Sequence, residues 1–411
     1  MNTPISPSYT YDAEAVRAQF PIFKHHPKLV YLDSAATAQK PQGVIDCLAT
    51  FLESEYGTVR RGLYALSVGS THRFDHARHD VATFINAPNP DTIVFTRGAT
   101  EAINIVAHGF AKTILKPDDV VVITAMEHHA NLVPWQQACL SSGAQLRVIP
   151  ITEAGQLDLT TLETLLCGPV KLLALSHVSN VLGTINPVET LIKAAHDRDI
   201  PVLLDGCQAV PHLAIDVQAL DCDFYAFSAH KLYGPTGVGV LYGKPEWLDR
   251  LPPMQFGGDM IDTVTFERST FAAPAAKFEA GTPAISEVIA LSAAIQFVST
   301  LGLPAIAAHE HTLLQKTTEM MQAIPGLRLI GTAPHKAAVQ AFVIEGVHPL
   351  DLATVLDHEG VAIRTGHHCA QPLMARYGVT AMARASFAAY NTIDDVYHFQ
   401  KAMHKAIQLL C

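Results

Sequence analysis

From about residue 92 onward the chain alternates short apolar runs with stretches of helical periodicity, and this alternation restricts the fold more than any other feature. Candidate strands are Thr92–Thr96, Val120–Thr124, Leu146–Ile149, Lys171–Leu175, Pro201–Leu204, Asp223–Phe227 and Val238–Tyr242. Between them lie amphipathic segments such as Glu101–Lys116, with Ile103, Val106, Phe110 and Ile114 at helical spacing, and Glu189–Asp199. Runs that are apolar at nearly every position belong to strands buried on both faces. The pattern therefore predicts an α/β fold with a mainly parallel seven-stranded sheet covered by helices. After about residue 285 the texture changes. Helical patterns over Ser286–Leu301, His309–Ile324 and Leu350–Glu359 mix with strand-like pieces at Leu327–Ile330, Ala338–Ile344, Ala362–Arg364 and Ala383–Phe387. The expected division is a large domain over 21–285 and a smaller α+β C-terminal domain over 286–411, joined by the N-terminal segment 1–20.

Composition sets limits on partners. With 49% hydrophobic and 16% charged residues the chain is globular in character, and its net charge of −10 argues against nucleic-acid or anionic-membrane binding. Any small anion must be held by local donors. The cysteines (Cys47, Cys139, Cys167, Cys207, Cys222, Cys369 and Cys411) are odd in number and irregular in spacing, without a C-x-x-C. That suits reduced thiols in the cytoplasm better than disulfides or a zinc site. Met1–Pro7 has no basic region leading into an apolar run, and no apolar stretch is long enough for a bilayer, so a cytoplasmic location is expected.

In an open parallel sheet, ligands sit outside the carboxyl ends of the strands, and several polar groups fall at such ends. Ser228-Ala229-His230-Lys231 follows one strand and precedes the glycine-rich turn Leu232–Gly237. Lysine amines condense with carbonyl compounds, although on its own this lysine reads as a surface residue in a turn. Arg97-Gly98-Ala99-Thr100-Glu101 follows another strand and opens a helix, which makes either a phosphate cradle or an ordinary capped helix start. Asp205, with Gln208 three residues on, could keep a pyridine nitrogen protonated, bind a metal or cap a helix. His128 and His129 follow Val120–Thr124, where an imidazole could stack on an aromatic ring and move protons or be merely structural. Together these groups suit pyridoxal 5'-phosphate (PLP).

These segments, in this order, resemble the class V branch of the fold-type I PLP-dependent transferases, and within it the SUF-type (group II) cysteine desulfurases with their selenocysteine lyase relatives. The matching stretches are Tyr31–Thr37, Arg97–Asn104, Glu127–Trp135, His177–Gly183, Asp205–Gln208, Asp221–Gly239, Phe278–Pro283, Arg364–Pro372 and Arg384–Asn391. The resemblance implies that Lys231 carries PLP, that Asp205 pairs with the ring nitrogen, that Gln208 contacts the phenolate oxygen and that His128 stacks on the ring. It implies that Ala99, Thr100, Ser228 and His230 bind the phosphate. Thr282 would reach the phosphate of a partner subunit, which implies a homodimer with shared active sites. Asn180, Arg364 and Arg384 would hold the substrate, with Arg384 on its carboxylate. Cys369, in Arg364–Pro372, would be the persulfide-forming nucleophile, with two histidines and Arg364 favouring its thiolate. Cys139, Cys167, Cys207 and Cys222 read instead as inert buried packing. The implied reaction turns L-cysteine, or L-selenocysteine, into L-alanine and passes sulfur to a SufE- or SufU-like acceptor for iron–sulfur cluster assembly. A weakly active PLP-bound scaffold for such a partner is the reading from another class.

The family's usual His-Arg-Gly appears here as Arg60-Arg61-Gly62, its Ser-Gly-His-Lys as Ser228-Ala229-His230-Lys231, and its Gly-Thr-Pro-Asn as Gly281-Thr282-Pro283-Ala284. Ala275 and Ala276 also interrupt a family stretch. No metal site is expected. His72, His76 and His79 lie on a helical stretch whose Arg73–Arg78 portion reads as a charged, solvated face. His367, His368 and Cys369 would point apart if extended.

Overall fold

The computed structural model describes residues 11–410. Cys411 and Met1–Pro7 lie outside that range. Seven strands form one sheet, in the order Ile93–Thr96, Gly239–Gly243, Phe224–Ser228, Val202–Asp205, Val170–Ser176, Val120–Thr124 and Gln145–Ile149. Each lies within two residues of its sequence-based position. Six run parallel, and Gly239–Gly243 is antiparallel to both of its neighbours. The apolar runs behave as their composition requires: Val120–Thr124, Val202–Asp205 and Phe224–Ser228 are buried at every residue. The helix Ala99–Thr113 packs Ile103, Val106 and Phe110 on one face, whereas Ile114 falls just past its end. Gly239 is required by closeness: a Cβ there would lie 2.4 Å from Gly98 Cα.

A second, antiparallel sheet runs in the order Leu327–Ile330, Val339–Ile344, Met382–Ser386 and Arg364–Gly366. The single run expected at Ala362–Arg364 is divided in two, because Val361–Ala362 pairs with Val30–Tyr31 instead. This sheet has its own core, which includes Leu313, Phe342, Leu356 and Phe399.

The helix Ala65–Phe84 corrects the reading of Arg73–Arg78 as a solvated face. His72, His76 and His79 are exposed, but Arg78 is buried and makes two 2.8 Å bonds to the Glu279 carboxylate. Arg60, at the family's histidine position, joins the same carboxylate at 2.7 Å. A carboxylate with two guanidiniums can be buried, and their charge holds Glu279 below its ordinary pKa against the effect of burial. Among the described residues no single helix is long and apolar enough to cross a membrane.

Candidate active site

Five ends of parallel strands open into one cavity of about 270 Å³. Ala99 and Thr100 come from beyond Thr96, His128 from beyond Thr124, Asn180 from beyond Ser176, Gln208 from beyond Asp205, and His230 and Lys231 from beyond Ser228. The small sheet closes the other side with Arg364, His368, Cys369 and Arg384. Of the site residues expected from sequence, Thr282 is the one that does not line this cavity; it is exposed.

The polar end of the cavity suits a phosphate. Helix Ala99–Thr113 begins at Gly98 without a side-chain cap, and the Ala99 N–H donates to Ser228 Oγ at 2.8 Å. A helix N-terminus, a hydroxyl, an imidazole and an amine thus face one volume. Burial, with Lys231 and Lys40 nearby, pushes His230 down to about 4, so its ring is neutral.

Asp205 is buried at the end of its strand, and its Oδ1 accepts the Cys207 N–H at 3.0 Å. His128 Nδ1 accepts the Ala130 N–H at 3.0 Å, which leaves the ring proton on Nε2. Burial and then Lys231 lower His128 to about 4. A flat, uncharged imidazole on one wall and a carboxylate at the base suit the two faces of PLP recognition, ring stacking and pairing with a ring nitrogen. Gln208 Nε2 donates to Ala35 O at 2.7 Å, which fixes its amide beside them.

Arg384 is almost wholly enclosed. Its Nη1 donates to Asn180 O at 2.9 Å and its Nη2 to Asp33 Oδ1 at 3.0 Å, while Nε has no partner. An unpartnered donor on a guanidinium that lines the cavity is what a substrate carboxylate would satisfy. Asp33, which also lies 3.8 Å from Arg364, is a positioning residue that sequence reasoning left without a role. Its one signal was a lone carboxylate directly after the apolar Val30–Leu32.

Cys369 sits on a tight loop rather than an extended segment. Gly366, His368 and Cys369 all have left-handed φ, at 116°, 50° and 53°. His368 turns inward, and its Nε2 donates to Met382 O at 3.1 Å. Burial beside Arg384 drives His368 down to about 3. It is therefore neutral and lends no charge to Cys369, contrary to the expectation for this histidine. Cys139, Cys207 and Cys222 are buried as expected, but Cys167 is exposed because it lies in the turn before Val170–Ser176. Cys207 lines the cavity too, yet burial raises its thiol to about 12, so it stays protonated there.

A cavity at the carboxyl ends of a mainly parallel sheet, with a lysine, a buried aspartate and a neutral histidine around it, has the donors that suit a phosphorylated aromatic aldehyde. The profile of the aminotransferase class-V family matches residues 30–399, and the chain belongs to that family. The chain is 48% identical over its whole length to the whole of a cysteine desulfurase of Dickeya dadantii. It is also 48% identical, over 96% of its length, to a cysteine desulfurase of Synechococcus elongatus, of which it spans 64%. The crystal structure of the Escherichia coli cysteine desulfurase CsdA in its S-sulfonic acid form superposes with a TM-score of 0.92 at 40% identity, covering 98% of this chain and all of that one.

Proposed function

We propose that this protein is a PLP-dependent cysteine desulfurase, which takes the sulfur of L-cysteine onto Cys369 as a persulfide and releases L-alanine. The observation that carries the reading is that Cys369 and Lys231 line one cavity, together with Asp205, His128 and Arg384. Lys231 would hold PLP covalently, with Asp205, Gln208 and His128 around its ring and Ala99, Thr100, Ser228 and His230 around its phosphate. When bound, PLP supplies an electron sink next to the substrate's Cα.

The chain's own groups do the rest. Arg384, with Asn180 and Arg364, clamps the substrate carboxylate and so fixes which bonds face the reactive groups. Lys231 Nζ takes the Cα proton. Cys369 Sγ, as thiolate, attacks the substrate sulfur: an S–S bond forms, the Cβ–S bond breaks, and its electron pair stays with the three-carbon fragment. That fragment takes a proton at Cβ, regains at Cα the proton held by Lys231 Nζ, and leaves as alanine. The persulfide sulfur then passes by thiol exchange to a SufE- or SufU-like acceptor for iron–sulfur cluster assembly.

A homodimer is part of the proposal. Thr282 is exposed and outside its own cavity lining, as a residue serving a second subunit would be. The hairpin formed by Ile261–Val264 and Ser269–Phe271 carries a fully exposed Phe266, an apolar group that a partner surface would cover. The six described cysteines are all free, which supports a reducing, cytoplasmic setting.

Purified protein should be yellow, absorbing near ~420 nm, as expected for lysine-bound PLP. Alanine and sulfide release from L-cysteine with a reductant tests the rest. Lys231→Ala should lose all turnover. Cys369→Ala should lose cysteine desulfuration and retain some selenocysteine cleavage, because selenium leaves more readily. Colourless protein that PLP does not restore, or full desulfuration by Cys369→Ala, would overturn the proposal.

A further inference from the structure

The loop that carries Cys369 is held by a residue that the proposed reaction does not use. His129 donates its backbone N–H to Cys369 O at 2.7 Å, and its Nε2 accepts the backbone N–H of Gln371 at 3.1 Å. The nucleophile is thus bracketed, at its own carbonyl and two residues further on. His129 directly follows His128, whose ring lines the cavity. One dipeptide therefore ties the cofactor side of the site to the nucleophile loop.

Other groups meet at the same place. His367 Nδ1 accepts the N–H of Cys369 at 3.1 Å, and Asn180 Nδ2 donates to His368 O at 2.9 Å. The rings of His129 and His367 lie 5.7 Å apart between centroids, and one nitrogen of each, with Cys369 Sγ, falls within 4.8 Å of the others. A triangle of two imidazoles and a thiol suggests a soft cation. The hydrogen bonds argue otherwise. A neutral imidazole has one lone pair, and in each ring it is already turned on a backbone N–H of the loop. A cation would have to break both bonds. Burial and the neighbouring His367 hold His129 below its ordinary pKa, so the accepting form prevails at neutral pH.

We propose that His129 is a positioning residue, whose imidazole clasps Gln371 N–H and thereby sets where Cys369 Sγ stands over the cofactor site. The left-handed backbone at His368 and Cys369 makes such a clasp necessary. A loop in two sparsely populated conformations keeps its shape only when its surroundings hold it there. The functional part of the inference rests on Cys369 as the sulfur acceptor; the clasp itself does not.

The test compares wild type, His129→Ala and His129→Gln as PLP-loaded enzymes. Glutamine's side-chain oxygen can accept the same N–H. Amide hydrogen exchange of the segment 366–373 should quicken in His129→Ala, and iodoacetamide should label Cys369 faster. The kcat for L-cysteine should fall about tenfold with KM and the cofactor absorbance nearly unchanged, since misplacement of a reacting group costs rate rather than binding. His129→Gln should restore most of both exchange protection and kcat. Unchanged exchange and labelling in His129→Ala would overturn the clasp. Faster exchange with unchanged kcat would overturn the positioning role, as would a kcat loss matched by lost absorbance or melting temperature. Stoichiometric Zn²⁺ binding to wild type that His129→Ala abolishes would replace the inference with a metal site. Full desulfuration by Cys369→Ala would instead sink the reading of Cys369 and leave the exchange result standing.

Discussion

The two sides of the cavity are built on opposite principles. The floor comes from ends of parallel strands of one sheet, and its fixing bonds are short in sequence or link strand ends of that sheet: Asp205 to Cys207, His128 to Ala130, Ala99 to Ser228 across the intervening Gly239–Gly243. The Cys369 loop has no such lattice. It is held by His129, Asn180 and the carbonyl of Met382, two of which lie far away in sequence. Regular strands orient many groups at once and cheaply, since their backbone is already satisfied by the ladder. An irregular loop can place one thiol over that floor, but only by recruiting outside partners. On the proposed function, the floor is what PLP chemistry needs and the loop is what makes sulfur the target.

The sharpest way to break this comparison is to damage each side alone. Asp205→Asn should lower turnover of both cysteine and selenocysteine by about 10²–10³-fold, because that buried carboxyl group serves every reaction at the proposed site. A loss confined to cysteine would show that floor and loop are not separable.

On the loop, Gly366→Ala meets open space, so its only cost is the left-handed φ of 116°. That strain is about 1–3 kcal/mol. Cysteine turnover should fall several-fold, selenocysteine cleavage and cofactor absorbance much less. Equal losses for both substrates would count against the division.

The smallest effect expected is on stability against pH. Burial lowers His128, His177 and His230 to about 4 and His368 to about 3. In the unfolded chain these rings take up protons near pH 6.5, whereas in the fold they do so only near pH 3–4. Their contribution is complete above pH ~6.5 and is lost as pH falls towards their folded values, each by up to about 1.4 kcal/mol per pH unit. Glu127 opposes this. Burial raises it to about 7, so its contribution is present below its ordinary pKa and is lost as pH rises through about 7. Four groups outweigh one, and the melting temperature should be lower at pH ~5 than at pH ~7.5. His368 is one of these four rings, and His128 and His230 line the floor, so His368→Gln should remove less than half of the difference. A melting temperature that is flat or rises towards acid pH would mean that these rings are not held neutral.

Much of the floor was legible because period and position go together. Short, fully apolar runs alternating with helical segments fit doubly buried strands, and polar residues soon after their ends fall at the ligand crevice, as Asp205, His128, Ser228 and Lys231 do. Arg78 was not legible. A guanidinium on an amphipathic helix looks solvated until a carboxylate distant in sequence, here Glu279, meets it. Asp33 was hidden for the same reason, since its partner Arg384 is distant in sequence.

The sequence by itself determined the alternation and the strand ends and, through resemblance, pointed to the cofactor and the cysteine on which the proposed function rests. Those properties are local: periodicity and short motifs are written residue by residue. Only the tertiary structure decided that His368 is buried and uncharged while His129 grips the loop. It also decided that Cys207 is a protonated bystander within the same cavity as Cys369. Charge state and hydrogen-bond partner depend on what surrounds a side chain in space, and that is settled only when distant segments pack together.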